Sequence, residues 1–120
     1  MLRAYQNQCS LCRLRHSALL DAAHIVPDTE PMGEPTVRNG LALCKIHHAA
    51  YDKMFIGIRP DQIVVIRRDV LAESDGPMLQ HGLKEMHGLK IHVPRSARDR
   101  PADEFLEWRY DRFLEKQEGV

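Results

Sequence analysis

Four potential metal ligands in two short pairs constrain this chain more than any other feature. Cys9 and Cys12 form a C-x2-C pair, and Cys44 and His47 form a C-x2-H pair later in the chain. Each pair makes a chelating turn, and four sulfur and nitrogen atoms complete a tetrahedral zinc shell. Buried free cysteines beside an unrelated histidine are the alternative, but the spacing and the loop character of "NQCSLCRLRH" favour zinc. Because three cysteines is an odd number, a framework made only of disulfides is disfavoured.

Composition limits the class of protein. The chain has 120 residues, of which 43% are hydrophobic and 28% charged, as expected for one soluble folded domain. Its apolar runs are too short to cross a bilayer and its start lacks a secretory signal, so we expect a cytoplasmic protein. Lys plus Arg and Asp plus Glu both total 17, so net charge does not support an isolated nucleic-acid binder. Binding to DNA would require locally clustered positive charge, a bound metal ion or another domain.

The first half of the chain predicts the order strand, loop, strand, helix. Late β-branched residues and a proline stop favour a strand over a helical turn in "ALLDAAHIVP", and the following segment is rich in Pro, Gly and acids. "NGLALC" reads as a turn into a second strand. The predicted elements are the end of a helix at residues 3–8, a strand at 20–26, a surface loop at 28–40 and a helix at 45–55.

The second half predicts a strand pair and a terminal helix. "FIGIRPDQIVVIRRDVL" suits two strands around an Arg-Pro-Asp turn, "SDGPMLQHGLKEMHG" a turn and short helix, and "LKIHVP" a strand. The last helix is expected over residues 101–117, with Pro in its first turn and two acids near its positive end. Its expected buried face comprises Phe105, Trp108, Tyr110 and Phe113 or Leu114.

His48 is left outside the predicted zinc site. Adjacent helical residues point about 100° apart, so His47 and His48 do not easily share one ion. On a helix, His48 and Asp52 lie one turn apart on the same side. An imidazole and a carboxylate in that arrangement suit a divalent cation, Mg2+ or Mn2+. One short helix is therefore expected to serve two metal sites.

Three segments carry a resemblance to a known family. They are "LLDAAHIVP" (19–27), "NGLALCKIHHAAYD" (39–52) and "DGPMLQHGL" (75–83). In this order they resemble the HNH endonucleases, specifically the zinc-binding branch found among restriction endonucleases. The family's letters H, N and H correspond to His24, Asn39 and His48. Zinc-binding members carry C-x2-C-H at the helix start, whereas this chain has His47 in place of the second cysteine.

The resemblance implies an α+β fold, a ββα-metal finger with a zinc knuckle, followed by a β-hairpin and C-terminal helices. We expect residues 1–57 to hold the knuckle and catalytic core, and residues 58–120 to pack on them as an extension. The implied reaction is hydrolysis of DNA phosphodiester bonds, with His24 as the general base that deprotonates the attacking water. His48 and Asp52 would hold the catalytic cation, which stabilises charge on the transition state and the departing 3′ oxygen.

The third contributor to the cation site stays open from the sequence. Family members often have a metal ligand directly before the base, where this chain has Ala23. Asp21 shares a strand face with Ala23, so it is a candidate ligand or a group that orients a neighbour. Asn39 is the other candidate, as a ligand or as a side chain that orients His24; otherwise it forms an ordinary Asn-Gly turn.

Expected partners follow from the same resemblance. DNA is the substrate, and the candidate DNA contacts are Arg13, Arg15, Arg38 and His81. Zero net charge and a start within a helix predict the C-terminal part of a restriction enzyme with a recognition domain upstream, active as a dimer. The alternative is a zinc-stapled nucleic-acid-binding module without catalysis, which leaves His24 and the pair His48 and Asp52 without a role. A zinc hydrolase is disfavoured because four ligands close the zinc shell.

Overall fold

Two antiparallel strand pairs and a long C-terminal helix form the framework of the protein in the computed structural model, which describes residues 1–118. The first pair joins β1 (Leu20–His24) to β2 (Gly40–Cys44), and α1 (Lys45–Asp52) follows directly. The second pair joins β3 (Ile56–Ile58) to β4 (Val64–Ile66), followed by α2 (Arg68–Leu71) and α3 (Asp103–Glu118). The predicted α+β fold is confirmed. Within residues 1–118, no helix is long and apolar enough to span a membrane.

The two ends of the β1–β2 pair have different surroundings. Leu20 lies opposite Cys44 at one end, and His24 lies opposite Gly40 at the other. At the first end the Cys44 sulfur accepts a hydrogen bond from the His47 backbone N–H at 3.5 Å, so a single residue ends the strand and caps α1. At the other end the Tyr5 hydroxyl donates to the Gly40 carbonyl at 2.7 Å. All five residues of β2 are buried, which fixes the strand inside the core.

Two elements of the finger are shorter than predicted. β1 ends at His24 because the backbone N–H and C=O of Val26 bond to the Asn39 side chain instead of a strand ladder. α1 ends at Asp52 because Met54 adopts a left-handed conformation, with φ of 65°. That conformation ends the helix, and the chain continues into β3.

Outside the finger, the predicted strand pair is confirmed and two other segments differ. Residues 89–93 do not form a strand; Lys90 makes one isolated bridge with Ile63, while the His92 N–H donates to the Ser10 carbonyl. The predicted helix end at residues 3–8 is a 3-10 turn, Leu2–Tyr5, which left-handed residues then stop. The predicted short helix in 75–88 is a wide π-type turn, Met78–Leu83, followed by a 3-10 turn, Lys84–Met86.

Helix α3 packs along β3 and closes the core. Gly57 permits this approach, because a Cβ there would lie 2.5 Å from the Phe113 ring. The predicted burial of Phe105 and Phe113 is confirmed, while Leu114 is 39% exposed. Trp108 and Tyr110 are only partly buried; Leu106 and Arg109 take their places on the buried face. The core therefore includes residues from both sides of the predicted boundary at residue 57.

Candidate metal and catalytic site

The predicted zinc ligands Cys9, Cys12, Cys44 and His47 converge. Their ligand atoms all lie within 4.8 Å of one another. The His47 Nδ1 atom is 3.6 Å from the Cys9 sulfur and 3.4 Å from the Cys44 sulfur, and the Cys12 and Cys44 sulfurs are 4.0 Å apart. Ligands bound to a tetrahedral zinc ion lie roughly 3.5–3.8 Å apart, so the cluster fits that ion. In the described part of the chain, no other three or more His, Cys, Asp or Glu ligand atoms converge in this way.

Backbone hydrogen bonds shape the turn that carries Cys9 and Cys12. The Cys9 N–H donates to the Leu14 carbonyl and the Cys9 carbonyl accepts from the Arg13 N–H, both at 3.0 Å. Arg13 completes the turn in a left-handed conformation, with φ of 67°. Hydrogen bonds from Cys12 and Cys44 hold the pKa of the Cys9 thiol well below its usual range. A readily ionised thiol suits zinc, which binds the thiolate form.

His47 connects the cluster of candidate zinc ligands to the second half of the chain. Its Nδ1 faces the sulfur atoms, and its Nε2 donates to the Gly82 carbonyl at 2.6 Å. Burial opposes its protonation, but hydrogen bonds to Cys44 and Cys9 raise its pKa to about 10. A zinc ion would take the place of the Nδ1 proton, and the Gly82 carbonyl would keep the other proton on Nε2. A cysteine at position 47 has no second polar atom for this contact.

His48 lies between two carboxylates on the open side of α1. Its Nδ1 is 2.8 Å from Asp21 Oδ2, and its Nε2 is 3.3 Å from Asp52 Oδ2. Lys45 also pairs with Asp21, and the hydrogen bonds from Lys45 and His48 lower the pKa of the Asp21 carboxyl. The carboxylate of Asp21 accepts a hydrogen bond from His48 Nδ1, and the other ring nitrogen, Nε2, lies on the side of Asp52.

Of the three predicted cation ligands, His48 and Asp52 can bind the same ion, whereas Asp21 lies on the other side of the His48 ring. One imidazole nitrogen binds one ion, and Asp21 and Asp52 contact opposite nitrogens of His48. Nε2 and Asp52 form a pair that fits one divalent cation, and the side chains of His48 and Asp52 are 27% and 53% exposed. Asp21 instead lies where a carboxylate orients a metal-binding histidine.

His24 and Asn39 lie at the end of the β1–β2 pair opposite to Cys44. His24 is exposed as the last residue of β1, on the opposite strand face from Asp21 by alternation. Asn39 is fully buried, and its Oδ1 accepts from the Val26 N–H at 2.8 Å while its Nδ2 donates to the Val26 and Glu34 carbonyls. Its side-chain polar atoms are thus engaged in holding the chain just beyond His24. The Asn-Gly turn is absent, since Gly40 has an extended φ of −142°.

Arg109 contacts the candidate site, and the sequence pattern does not readily reveal this position. A charged residue on an amphipathic helix is ordinarily exposed, yet this side chain is 6% exposed. It donates to the carbonyls of Ile25 and Tyr51, each at 2.9 Å, and lies 3.7 Å from Asp52 Oδ1. The available signal is its spacing of four from Phe105 and from Phe113, which places it on the buried face.

The candidate DNA contacts have different surroundings. Arg13, Arg15 and Arg38 are exposed. Arg38 Nε donates to the Arg100 carbonyl at 3.1 Å, and this hydrogen bond holds the Arg38 side chain against the loop that contains Arg100. His81 Nδ1 lies 2.9 Å from Glu85 Oε2. The negative charge of this carboxylate disfavours a phosphate group beside His81.

Residues 9–59 match the family model described as HNH endonuclease. The resemblance to the HNH endonucleases is confirmed over these residues. The matched residues include every predicted zinc ligand, the predicted cation ligands and the predicted base, and the match supports a nuclease function.

Among solved structures, the chain is similar to one described as "Modification dependent TagI restriction endonuclease", with a TM-score of 0.61 and 17% sequence identity. The similarity covers 92% of this chain and 35% of that one, so this chain spans about a third of that protein's length. At this identity the similarity concerns the fold alone, and it extends beyond residues 9–59. No curated protein matches the chain.

Proposed function

We propose that this chain is a metal-dependent endonuclease domain that hydrolyses phosphodiester bonds in DNA. The observation that carries the proposal is the pair His48 Nε2 and Asp52 Oδ2, 3.3 Å apart on the open side of the helix that also bears His47. The HNH family match supports this chemistry and implies DNA as the substrate class.

In the proposed mechanism, His24 acts as general base and removes a proton from the water that attacks phosphorus. His48 and Asp52 would hold Mg2+ or Mn2+, which when bound supplies positive charge beside the phosphate and the departing 3′ oxygen. Asp21 keeps the His48 proton on Nδ1 and fixes the ring, as their 2.8 Å contact supports. Asn39 positions His24 through its bonds to Val26.

We propose that zinc in the cluster of Cys9, Cys12, Cys44 and His47 is structural. Four protein ligands leave no open position for water or substrate. The cluster lies where β2 meets α1, so zinc would fix the strand, the helix and the knuckle relative to one another.

A basic edge near His24 supports binding to the DNA backbone. Arg38 bonds to the Arg100 carbonyl, and Arg100 in turn donates to the carbonyls of Pro94 and Arg95. These bonds fix a loop on which Arg95 and Arg98 are exposed. We propose that this edge contacts phosphates together with Arg13 and Arg15, which would offset the zero net charge of the chain.

Two proposals concern the assembled enzyme. A site with one cation cuts one strand at a time, so we propose that double-strand cleavage uses two copies of the domain. Backbone contacts carry little sequence information, so we propose that a separate recognition domain in a longer protein supplies specificity.

Plasmid cleavage tests the proposed function. The zinc-loaded protein, freed of loosely bound cations, is incubated with supercoiled plasmid with and without added Mg2+ or Mn2+. We expect nicking that depends on the added cation. Binding to the plasmid without any cleavage would instead support the zinc-stapled binding module.

A further inference from the structure

We infer that Arg109 is a positioning residue that fixes the proposed base relative to the proposed cation ligands. The inference rests on the proposed nuclease function. His24 ends β1 and Asp52 ends α1, so the distance between them depends on how a strand and a helix pack together. Arg109, on α3, contacts the backbone one residue after His24 and one residue before Asp52.

The two hydrogen bonds come from one rigid group. One terminal nitrogen of Arg109 donates to the Ile25 carbonyl and the other to the Tyr51 carbonyl, each at 2.9 Å. A guanidinium is planar and its nitrogens have a fixed separation, so it holds two carbonyls at a defined distance. The guanidinium carbon also lies 4.3 Å from the centre of the Tyr51 ring, which restricts its rotation.

The charge of Arg109 acts on the carboxylate of the proposed site. Arg109 Nη2 is 3.7 Å from Asp52 Oδ1, while Asp52 Oδ2 faces His48 Nε2. Attraction at one oxygen thus favours the rotamer that presents the other oxygen beside the histidine. Because the side chain of Arg109 is 6% exposed, it acts on this geometry from within the protein and not through contact with DNA.

Packing alone is a poor explanation for this residue. Burying a charge is costly, and apolar residues of similar volume often replace buried charges with no loss of stability. Phe105, Leu106 and Phe113 already supply the apolar face of α3. A guanidinium directed at Ile25 and Tyr51 offers what an apolar side chain lacks, namely a fixed link between β1 and α1.

The test compares Arg109→Met with Arg112→Met. Arg112 is a matched control on the same helix: its guanidinium lies 4.2 Å from the Trp108 ring centre and donates to the Trp108 carbonyl. Zinc content and thermal unfolding establish that each variant is folded. If Arg109→Met does not fold, Arg109→Lys replaces it, because lysine keeps the charge but offers one nitrogen instead of two.

Two measurements separate positioning from general destabilisation. Single-turnover plasmid nicking at saturating Mn2+ should slow by at least about tenfold in the Arg109 variant, and DNA affinity without divalent cation should change by less than about twofold. The imidazole Cε1–H signals of His24 and His48 in NMR spectra should shift, while those of the exposed His16 and His87 stay in place. Partial unfolding would instead lower both binding capacity and signal intensity.

The outcomes distinguish this inference from the proposed function. If the wild type nicks DNA and the folded Arg109 variant does so as fast as Arg112→Met, Arg109 is not a positioning residue. If the wild type does not nick DNA, the proposed function fails, and the NMR signals then decide. Unshifted His24 and His48 signals would overturn the inference, whereas selective shifts would support the link without the reaction.

Discussion

His47 joins the cluster of candidate zinc ligands to Gly82: its Nε2 donates to the Gly82 carbonyl at 2.6 Å, while its Nδ1 faces the sulfur atoms. Replacing His47 with cysteine should preserve four zinc ligands and remove this link. We expect one zinc per chain as in the wild type, a loss of about 1 kcal/mol in unfolding free energy, and faster hydrogen exchange in the turn Met78–Leu83. Metal analysis and exchange mass spectrometry measure these effects. Unchanged exchange in that turn would show that the link does not hold it.

Asp21 and Asp52 should affect cation binding differently. Asp52→Asn removes a proposed ligand and should weaken Mn2+ binding by at least about tenfold. Asp21→Asn keeps an oxygen that accepts the His48 Nδ1 proton, so its effect should stay within about threefold. Mn2+ titration followed by electron paramagnetic resonance compares the two variants. Equal weakening by both would identify Asp21 as a ligand.

Asn39 should matter for stability and for the position of His24. Asn39→Ala leaves the N–H of Val26 and the carbonyls of Val26 and Glu34 without their partner, at a cost of about 2–4 kcal/mol. Denaturant unfolding measures this cost, and exchange of the Val26 amide should accelerate. Mn2+ affinity should be preserved in the folded fraction. A variant of wild-type stability that no longer binds Mn2+ would mean that Asn39 is a cation ligand.

The basic edge should contribute to DNA affinity through charge. Arg98→Ala should weaken binding to duplex DNA several-fold and reduce the salt dependence of the affinity by about one ion. Arg59→Ala is the control, because Arg59 is also exposed but pairs with Asp61 at 2.6 Å. Fluorescence anisotropy at several salt concentrations compares them. Equal losses in both variants would mean that the edge has no special role.

Local spacing predicted which side chains of the candidate site lie together within each pair, because short-range geometry determines their proximity. Each chelating pair, one with Cys9 and one with His47, consists of residues three apart in the sequence. His48 and Asp52 are likewise close in sequence, one helical turn apart. Spacing along the sequence does not predict contacts between distant segments. The position of Asp21 beside His48 Nδ1 depends on how β1 packs against α1.

The same limit explains the differences in the fold. Asn39 binds Val26 through a contact across the loop, and that contact ends β1 two residues early. Residues 89–93 have strand-like composition, but their backbone groups bond to separate segments: the Leu89 carbonyl accepts from the Val64 N–H of β4, and the His92 N–H donates to the Ser10 carbonyl. Arg109 is a charged residue whose buried position becomes clear only when α3 is placed against Ile25 and Tyr51.

The most direct test of the nuclease proposal is single-turnover nicking by His24→Ala at saturating Mn2+. His16→Ala is the control, because His16 is an exposed histidine that lies outside β1 and α1, the elements that carry the proposed base and cation ligands. Loss of a general base should slow nicking by at least about a hundredfold, with zinc content, Mn2+ affinity and DNA affinity preserved. Nicking by His24→Ala at the rate of the wild type and of His16→Ala would contradict the account.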